Sequence, residues 1–194
     1  MKSSLKAAGN DKNCSDSGED NSMKIRFEDF TIKQCTTNHL DEIVRLQDEV
    51  LAGLPSPEFL RANTVEMLEE CLRPPHYTVG AWYGEILAGV SVLYYPYTDK
   101  ENLSLSLVTV DASGLKTANN KLCMVRKEYR GNSLQYRLGL LLERHAAETG
   151  VQLLCTTVSP KNEYSINNIL RLGFKYDRTL IKYGYERNLY YKFL

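Results

Sequence analysis

Lys121-Leu122-Cys123-Met124-Val125-Arg126-Lys127-Glu128-Tyr129-Arg130-Gly131-Asn132-Ser133-Leu134-Gln135 decides the fold. Its first five residues read as a strand. From Leu134 the apolar positions Leu138, Leu141 and Leu142 recur at helical spacing as far as Gly150, where glycine can adopt a left-handed stop. A strand that feeds a helix N-terminus through small residues exposes backbone N–H groups at the positive end of the helix dipole, a natural pocket for phosphate oxygens. Gly131 and Ser133 keep side-chain bulk away from such a ligand. Lys121, Arg126, Lys127, Arg130 and Arg137 oppose the single Glu128 here, in a chain of formal net charge zero. An ordinary strand-to-helix loop with solvated charges would read the same way.

Downstream, Val151 to Val158 is a nearly continuous apolar run, as expected of a buried strand. Tyr164 to Leu172 reads as a short helix closed by Gly173, and strands follow at 174–183 and 187–193. Upstream, Tyr77 to Tyr83 and Ile86 to Tyr95 flank the Gly84-Glu85 turn as a hairpin. Asn38 is a candidate N-cap for a helix over 39–53, and Ser56-Pro57-Glu58 repeats the start signal for a second helix reaching Leu72, stopped by Pro74-Pro75. Ile25, Phe27, Phe30 and Ile32 suggest a first strand. Leu103, Leu105 and Leu107 alternate with serines as a half-buried strand would, before a loop at 111–114.

The 194 residues fit one ordinary domain with a tail. Residues 1–22 carry too few large apolar side chains to offset the entropy of ordering them, and read as a disordered N-terminal tail ahead of a domain at 23–194. Five cysteines, odd in number and never spaced C-x-x-C, with three scattered histidines, argue against a metal site or a disulfide framework. No signal peptide and no membrane-spanning run is visible, so the expected setting is cytoplasmic, without membrane or nucleic-acid partners.

Arg130, Ser133 and Gln135 stand at the defining positions of the Q/R-x-x-G-x-G/A loop of GNAT acyltransferases, which this segment resembles. Ser133 and Gln135 depart from that pattern. Val158-Ser159-Pro160-Lys161-Asn162-Glu163-Tyr164-Ser165, followed by Leu172-Gly173-Phe174, resembles the family's V-x-x-x-N-x-x-A/S…G-F segment. The matches cover about residues 119–175. The resemblance implies an α/β fold with a mixed central sheet of six or seven strands flanked by helices. It also implies an acetyl-CoA or other acyl-CoA donor, an amine acceptor and no metal. By it, backbone groups of Met124 and Val125 would pair with the pantetheine arm. The amides of Arg130, Gly131, Asn132, Ser133, Leu134 and Gln135 would hold the pyrophosphate, and Asn162, with Ser165 nearby, would meet the pantetheine. Asn162 could instead only cap its helix, and Ser165 could be a packing residue.

The tyrosine that serves many family members as acid, seven residues after the asparagine, is replaced by Ile169, which leaves Tyr164 as the nearby catalytic candidate, with Tyr183 and Tyr185 behind it. A strand-borne glutamate base is missing, because Asn119 and Asn120 occupy the stretch before Cys123, so a water chain is the expected route for the proton. Two functions follow: N-acetyl transfer to an amine of a small molecule, protein or peptide, or a catalytically silent acyl-CoA-binding module. Oligomeric state is open, a homodimer included.

Overall fold

Alternating β-rich and helical stretches give seven strands and four helices among residues 25–98 and 100–194, those the computed structural model describes. The strands are β1 (Thr31–Gln34), β2 (Tyr77–Tyr83), β3 (Ile86–Tyr94), β4 (Thr117–Val125), β5 (Leu153–Val158), β6 (Lys175–Lys182) and β7 (Tyr185–Phe193). The helices are α1 (Leu40–Ala52), α2 (Val65–Cys71), α3 (Leu134–Glu148) and α4 (Glu163–Arg171). The tail read at 1–22 lies outside the described residues. One sheet runs β1-β2-β3-β4-β5-β7-β6. Only β4 and β5 pair in parallel, as their connection through α3 requires.

The sheet is covered on both faces. On one, α3 buries Leu134, Leu138, Leu142 and Ala146, and α4 buries Ile169, against Val79, Ala88, Ala118 and Leu154. Gly139 allows the two helices to approach, since a Cβ there would lie 2.6 Å from a methyl of Leu172. Leu138 and Leu142 are fully buried, and each stabilises the fold by about 2–3 kcal/mol on transfer alone. On the other face, α1 buries Ile43, Leu46, Gln47 and Val50 over β3 and β4. Gln47 donates to the Asn63 carbonyl and accepts from the Asn63 N–H, both at 2.9 Å, which pins the α1–α2 connection over the sheet.

Four local expectations are corrected. The helix expected to run from Pro57 to Leu72 is a 3-10 turn at Pro57–Phe59 and then the short α2, because Thr64 restarts it by accepting from the Met67 N–H at 3.2 Å. The strand expected at 103–107 is a 3-10 turn at Leu103–Ser106, nucleated by the Asn102 side chain, which accepts from the Ser104 N–H at 3.1 Å. The first strand is confined to Thr31–Gln34, after a 3-10 turn at Phe27–Asp29. Asn38 is not the cap of α1: it lies in a turn at Thr37–His39 that Thr36 closes against the His39 ring.

Candidate functional site

β4 and β5 hold hands for three rungs only: Thr117 with Leu153, Ala118 with Leu154 and Asn119 with Cys155. Beyond them β4 continues against β3 as far as Val125, and β5 continues against β7 as far as Val158. The sheet therefore opens as a wedge, with a narrow cavity of about 80 Å³ bordered by Asn120 to Cys123, Thr156 to Val158, Ser165 and Ile169, with Phe59 and Leu60 over its mouth. At its apex, Leu122 pairs with Val92 while Asn120 pairs with Leu93, so Lys121 is the extra residue of a β-bulge. Thr156 bridges the start of the gap by donating to the Asn120 carbonyl at 2.8 Å.

The parted edge of β4 presents backbone groups that pair with no neighbouring strand. Arg126 donates its N–H to Ala88 on β3 at 2.8 Å, so by strand alternation Met124 also turns its backbone to β3, and Cys123 and Val125 turn theirs to the wedge. Met124, expected at the ligand-facing edge, is thus committed to the sheet. Cys123 presents its backbone groups on the wedge side instead. The Cys123 thiol is pushed up to about 12 by burial and remains neutral.

The loop after β4 ends at the N-terminus of α3. Gly131 has φ +87°, where a side chain is strained, and nothing lies within 4 Å of a Cβ built there. Ser133 is also left-handed, at φ 57°. The Arg137 N–H, bonded to the Ser133 carbonyl at 2.9 Å, opens the helical ladder. The preceding amides of Leu134, Gln135 and Tyr136 face out of the helix end. This arrangement fits an anionic group. Gln135 does not narrow it: its amide turns to α4, donating to Ser165 Oγ at 2.8 Å and accepting from Asn168 at 3.3 Å. The basic excess is dispersed, however. Arg126 pairs with Glu49, Lys121 lies over the Tyr94 ring and Arg137 over Phe27, which leaves Lys127 and Arg130 exposed at the loop. Arg130 Nε donates to the Val125 carbonyl at 3.3 Å.

Across the wedge, Asn162 caps α4 by accepting from the Ser165 N–H at 3.1 Å, and its NH₂ is left as a donor. Ile169 is buried in the cleft wall. Tyr164 is 86% exposed, on the first turn of α4 and away from the cavity lining, so the structure does not bring it together with the wedge.

On the α1–α2 face, side chains unrelated to either motif converge. The Tyr94 hydroxyl lies 2.9 Å from Glu101 Oε2 and 3.1 Å from Glu70 Oε1. One phenol proton serves two carboxylates. Burial, then the Glu101 hydrogen bond, raises Tyr94 so that it stays a donor. His76 stacks on the Tyr94 ring at 4.2 Å and accepts the Tyr95 N–H on Nδ1, which leaves the proton on Nε2, 3.5 Å from Glu70. Asn119 holds the Glu101 carbonyl at 2.8 Å from the last rung before the wedge. Lys121 joins the two regions: it borders the cavity, and its ammonium is 4.0 Å from the Tyr94 ring centre. Sequence spacing gave no signal for this cluster, whose members come from α2, the α2–β2 connection, β3, the β3–β4 connection and β4.

A larger cleft of about 530 Å³ lies between β1, β2 and α3, lined by Phe27, Ile32, Tyr77 and Leu141. It is mainly apolar and shares no lining residue with the cavity between the parted strands. No group of three metal-ligating side chains occurs among the described residues.

The wedge, the open helix end and the strand order together define a fold of the GNAT acetyltransferases. An acetyltransferase of that family from Streptococcus pneumoniae superposes with TM-score 0.64 at 16% identity, over 85% of this chain and 99% of its own. The Salmonella typhimurium protein yncA, solved with its cofactor acetyl-CoA, gives 0.65 at 14% identity, over 85% and 94%. A ribosomal-protein-alanine N-acetyltransferase from Brucella melitensis gives 0.63 at 18%, over 84% and 99%. No family model and no curated sequence matches the chain.

Proposed function

We propose that this protein is an acetyl-CoA-dependent N-acetyltransferase that acts on a primary amine by direct attack. The observation that carries the reading is the parting of β4 from β5 beside the open N-terminus of α3. The amides from Gly131 to Tyr136 would hold the pyrophosphate, and the edge groups of Cys123 and Val125, with the Asn162 amide, would hold the pantetheine. Acetyl-CoA, or another acyl-CoA, would supply an already activated thioester carbonyl.

The chain's own residues then have three tasks. The Cys123 N–H, fixed at the parted edge, is placed to donate to a developing oxyanion. Glu101 and Glu70, sharing one Tyr94 proton, are the groups able to accept the proton of an attacking amine, directly or through water. The neutral Cys123 thiol keeps the reaction off a covalent path. Tyr164 stands in solvent and Ile169 carries no proton, so the departing thiolate would be protonated by water.

A silent acyl-CoA-binding module is the second reading, favoured by Ile169 and by the Arg130 contact on Val125. Calorimetry with acetyl-CoA and coenzyme A release over a panel of amines separate the two. Micromolar binding with turnover is expected; absence of acyl-CoA binding would sink both readings, and binding without turnover on any amine would leave only the module. A cytoplasmic setting without nucleic acid or membrane is part of the proposal. None of the described helices is long and apolar enough to cross a membrane.

A further inference from the structure

Arg187 is a buried arginine with no hydrogen-bond or ion-pair partner among the described residues. The residue is 4% exposed, its Nε is buried with no hydrogen-bond partner, and its guanidinium forms no ion pair among the described residues. One face is shielded by the Tyr185 ring, 5.7 Å away. Glu58, whose charge reaches it, is already engaged: it accepts from Lys161 at 3.0 Å and from Ser56 at 3.2 Å. Burial pulls the Arg187 guanidinium below its ordinary value, the direction that an arriving anion would reverse. A desolvated, unpaired cation is rare unless something else completes it.

Its place in the fold says what that is. Asn188 pairs with Val158 at the end of β5, so Arg187 stands one residue past the wide end of the wedge. Strand alternation puts it on the face of Leu189 and Tyr191, which pack under Leu103 in the connection that also carries Glu101. The α1–α2 connection reaches the same spot, with Arg61 4.4 Å over the Tyr183 ring in the β6–β7 hairpin. Glu101 influences Tyr183 and Lys182 there. Lys182 donates to the Lys100 carbonyl at 3.2 Å, so the hairpin that leads into Arg187 meets the segment that carries Glu101, while Phe59, next to Glu58, lines the cavity.

We propose that the acceptor is an amino-carboxylate, such as a free amino acid, with its carboxylate on Arg187 and its amine toward Glu101. This rests on the acetyltransferase reading, and Arg61 and Lys182 would add two further cations at the rim.

The test uses the full chain, with amino acids paired against their decarboxylated amines and their carboxamides, and phosphoethanolamine against ethanolamine. Thermal upshift and coenzyme A release are both read. A carboxylate preference in kcat/KM of about 30-fold or more is expected, erased in Arg187→Gln and partly kept in Arg187→Lys, with acetyl-CoA Kd unchanged. Equal use of amines lacking the carboxylate, preference for the phosphate, or an unaltered preference in Arg187→Gln would overturn it, as would a carboxylate panel that neither reacts nor raises Tm. Should Arg187→Gln fail to fold, the matched pairs on the unmodified protein decide. Loss of acetyl-CoA binding itself would instead remove the acetyltransferase reading, and Tm shifts of the free protein with the same carboxylates would still judge Arg187.

Discussion

The two ends of the wedge are made of different material. At the end proposed for the donor, the recognising groups are backbone amides: Cys123 and Val125 on the parted edge, then the turn from Gly131 to the start of α3. At the end proposed for the acceptor they are side chains: Tyr94, Glu70, Glu101 and Arg187, drawn from segments far apart in the chain. Backbone recognition needs only a conformation, which many sequences can supply. Side-chain recognition depends on which residues stand there.

Substitutions should separate the two ends. The largest effect is expected from Glu70→Gln combined with Glu101→Gln: kcat/KM falls by about 100- to 1000-fold while the acetyl-CoA Kd stays within about threefold. A comparable loss of cofactor affinity would mean the ends are not independent. Next comes Gly131→Val, which forces a β-branched residue to φ +87°. The strain of about 1–3 kcal/mol should weaken acetyl-CoA binding by roughly 10- to 100-fold, measured by calorimetry, with little change in helical circular dichroism. Unaltered affinity would show that the loop's shape is not what binds.

Gln135→Ala should act more mildly. It removes the bonds to Ser165 and Asn168 that join α3 to α4. A loss of about 1–2 kcal/mol, seen as a Tm lowered by roughly 2–6 °C, is expected alongside a change in acetyl-CoA Kd below about fivefold. A large affinity loss with no change in Tm would make Gln135 a ligand contact instead.

The smallest effect at neutral pH comes from the thiols. Cys35, Cys71, Cys123 and Cys155 are each pushed up to about 12 by burial, whereas an unfolded thiol ionises near ~8.5. The folded chain keeps protons that the unfolded chain has lost, so this stabilisation is whole below about pH 8.5 and is lost as pH rises toward 12. Calorimetric Tm should be level from pH 7 to 8.5 and decline above 9, less so in Cys155→Ala. A level profile to pH 11 would contradict it.

The same division explains what could be read without coordinates. The strand–loop–α3 unit, β5, α4 and the β2–β3 hairpin were legible because their signals are local: apolar periodicity, Gly131, Gly150 and Gly173. Leu103, Leu105 and Leu107 misled because alternation in so short a run is a weak signal: Asn102 nucleates a 3-10 turn, with three residues per turn, that buries Leu103 and leaves Leu105 60% exposed. The missing base was sought on β4, at Asn119 and Asn120, where a glutamate would be visible by spacing. Asn119 instead holds the backbone of Glu101, eighteen residues earlier, a relation only the fold creates. Which β4 amides face the wedge around Met124 depends on which neighbour strand each one chooses, a relation that spacing does not carry.

The three-rung seam between β4 and β5 also bears on solubility. Sheets normally confine free strand edges to their rims, where another chain can add itself; here a pair of free edges lies in the interior. The cavity between them is small, about 80 Å³, and is walled by Ile169 and Leu172. On the proposed reading the pantetheine arm would lie along these interior edges, so the bound donor itself would cover the strand groups that another chain could otherwise pair with.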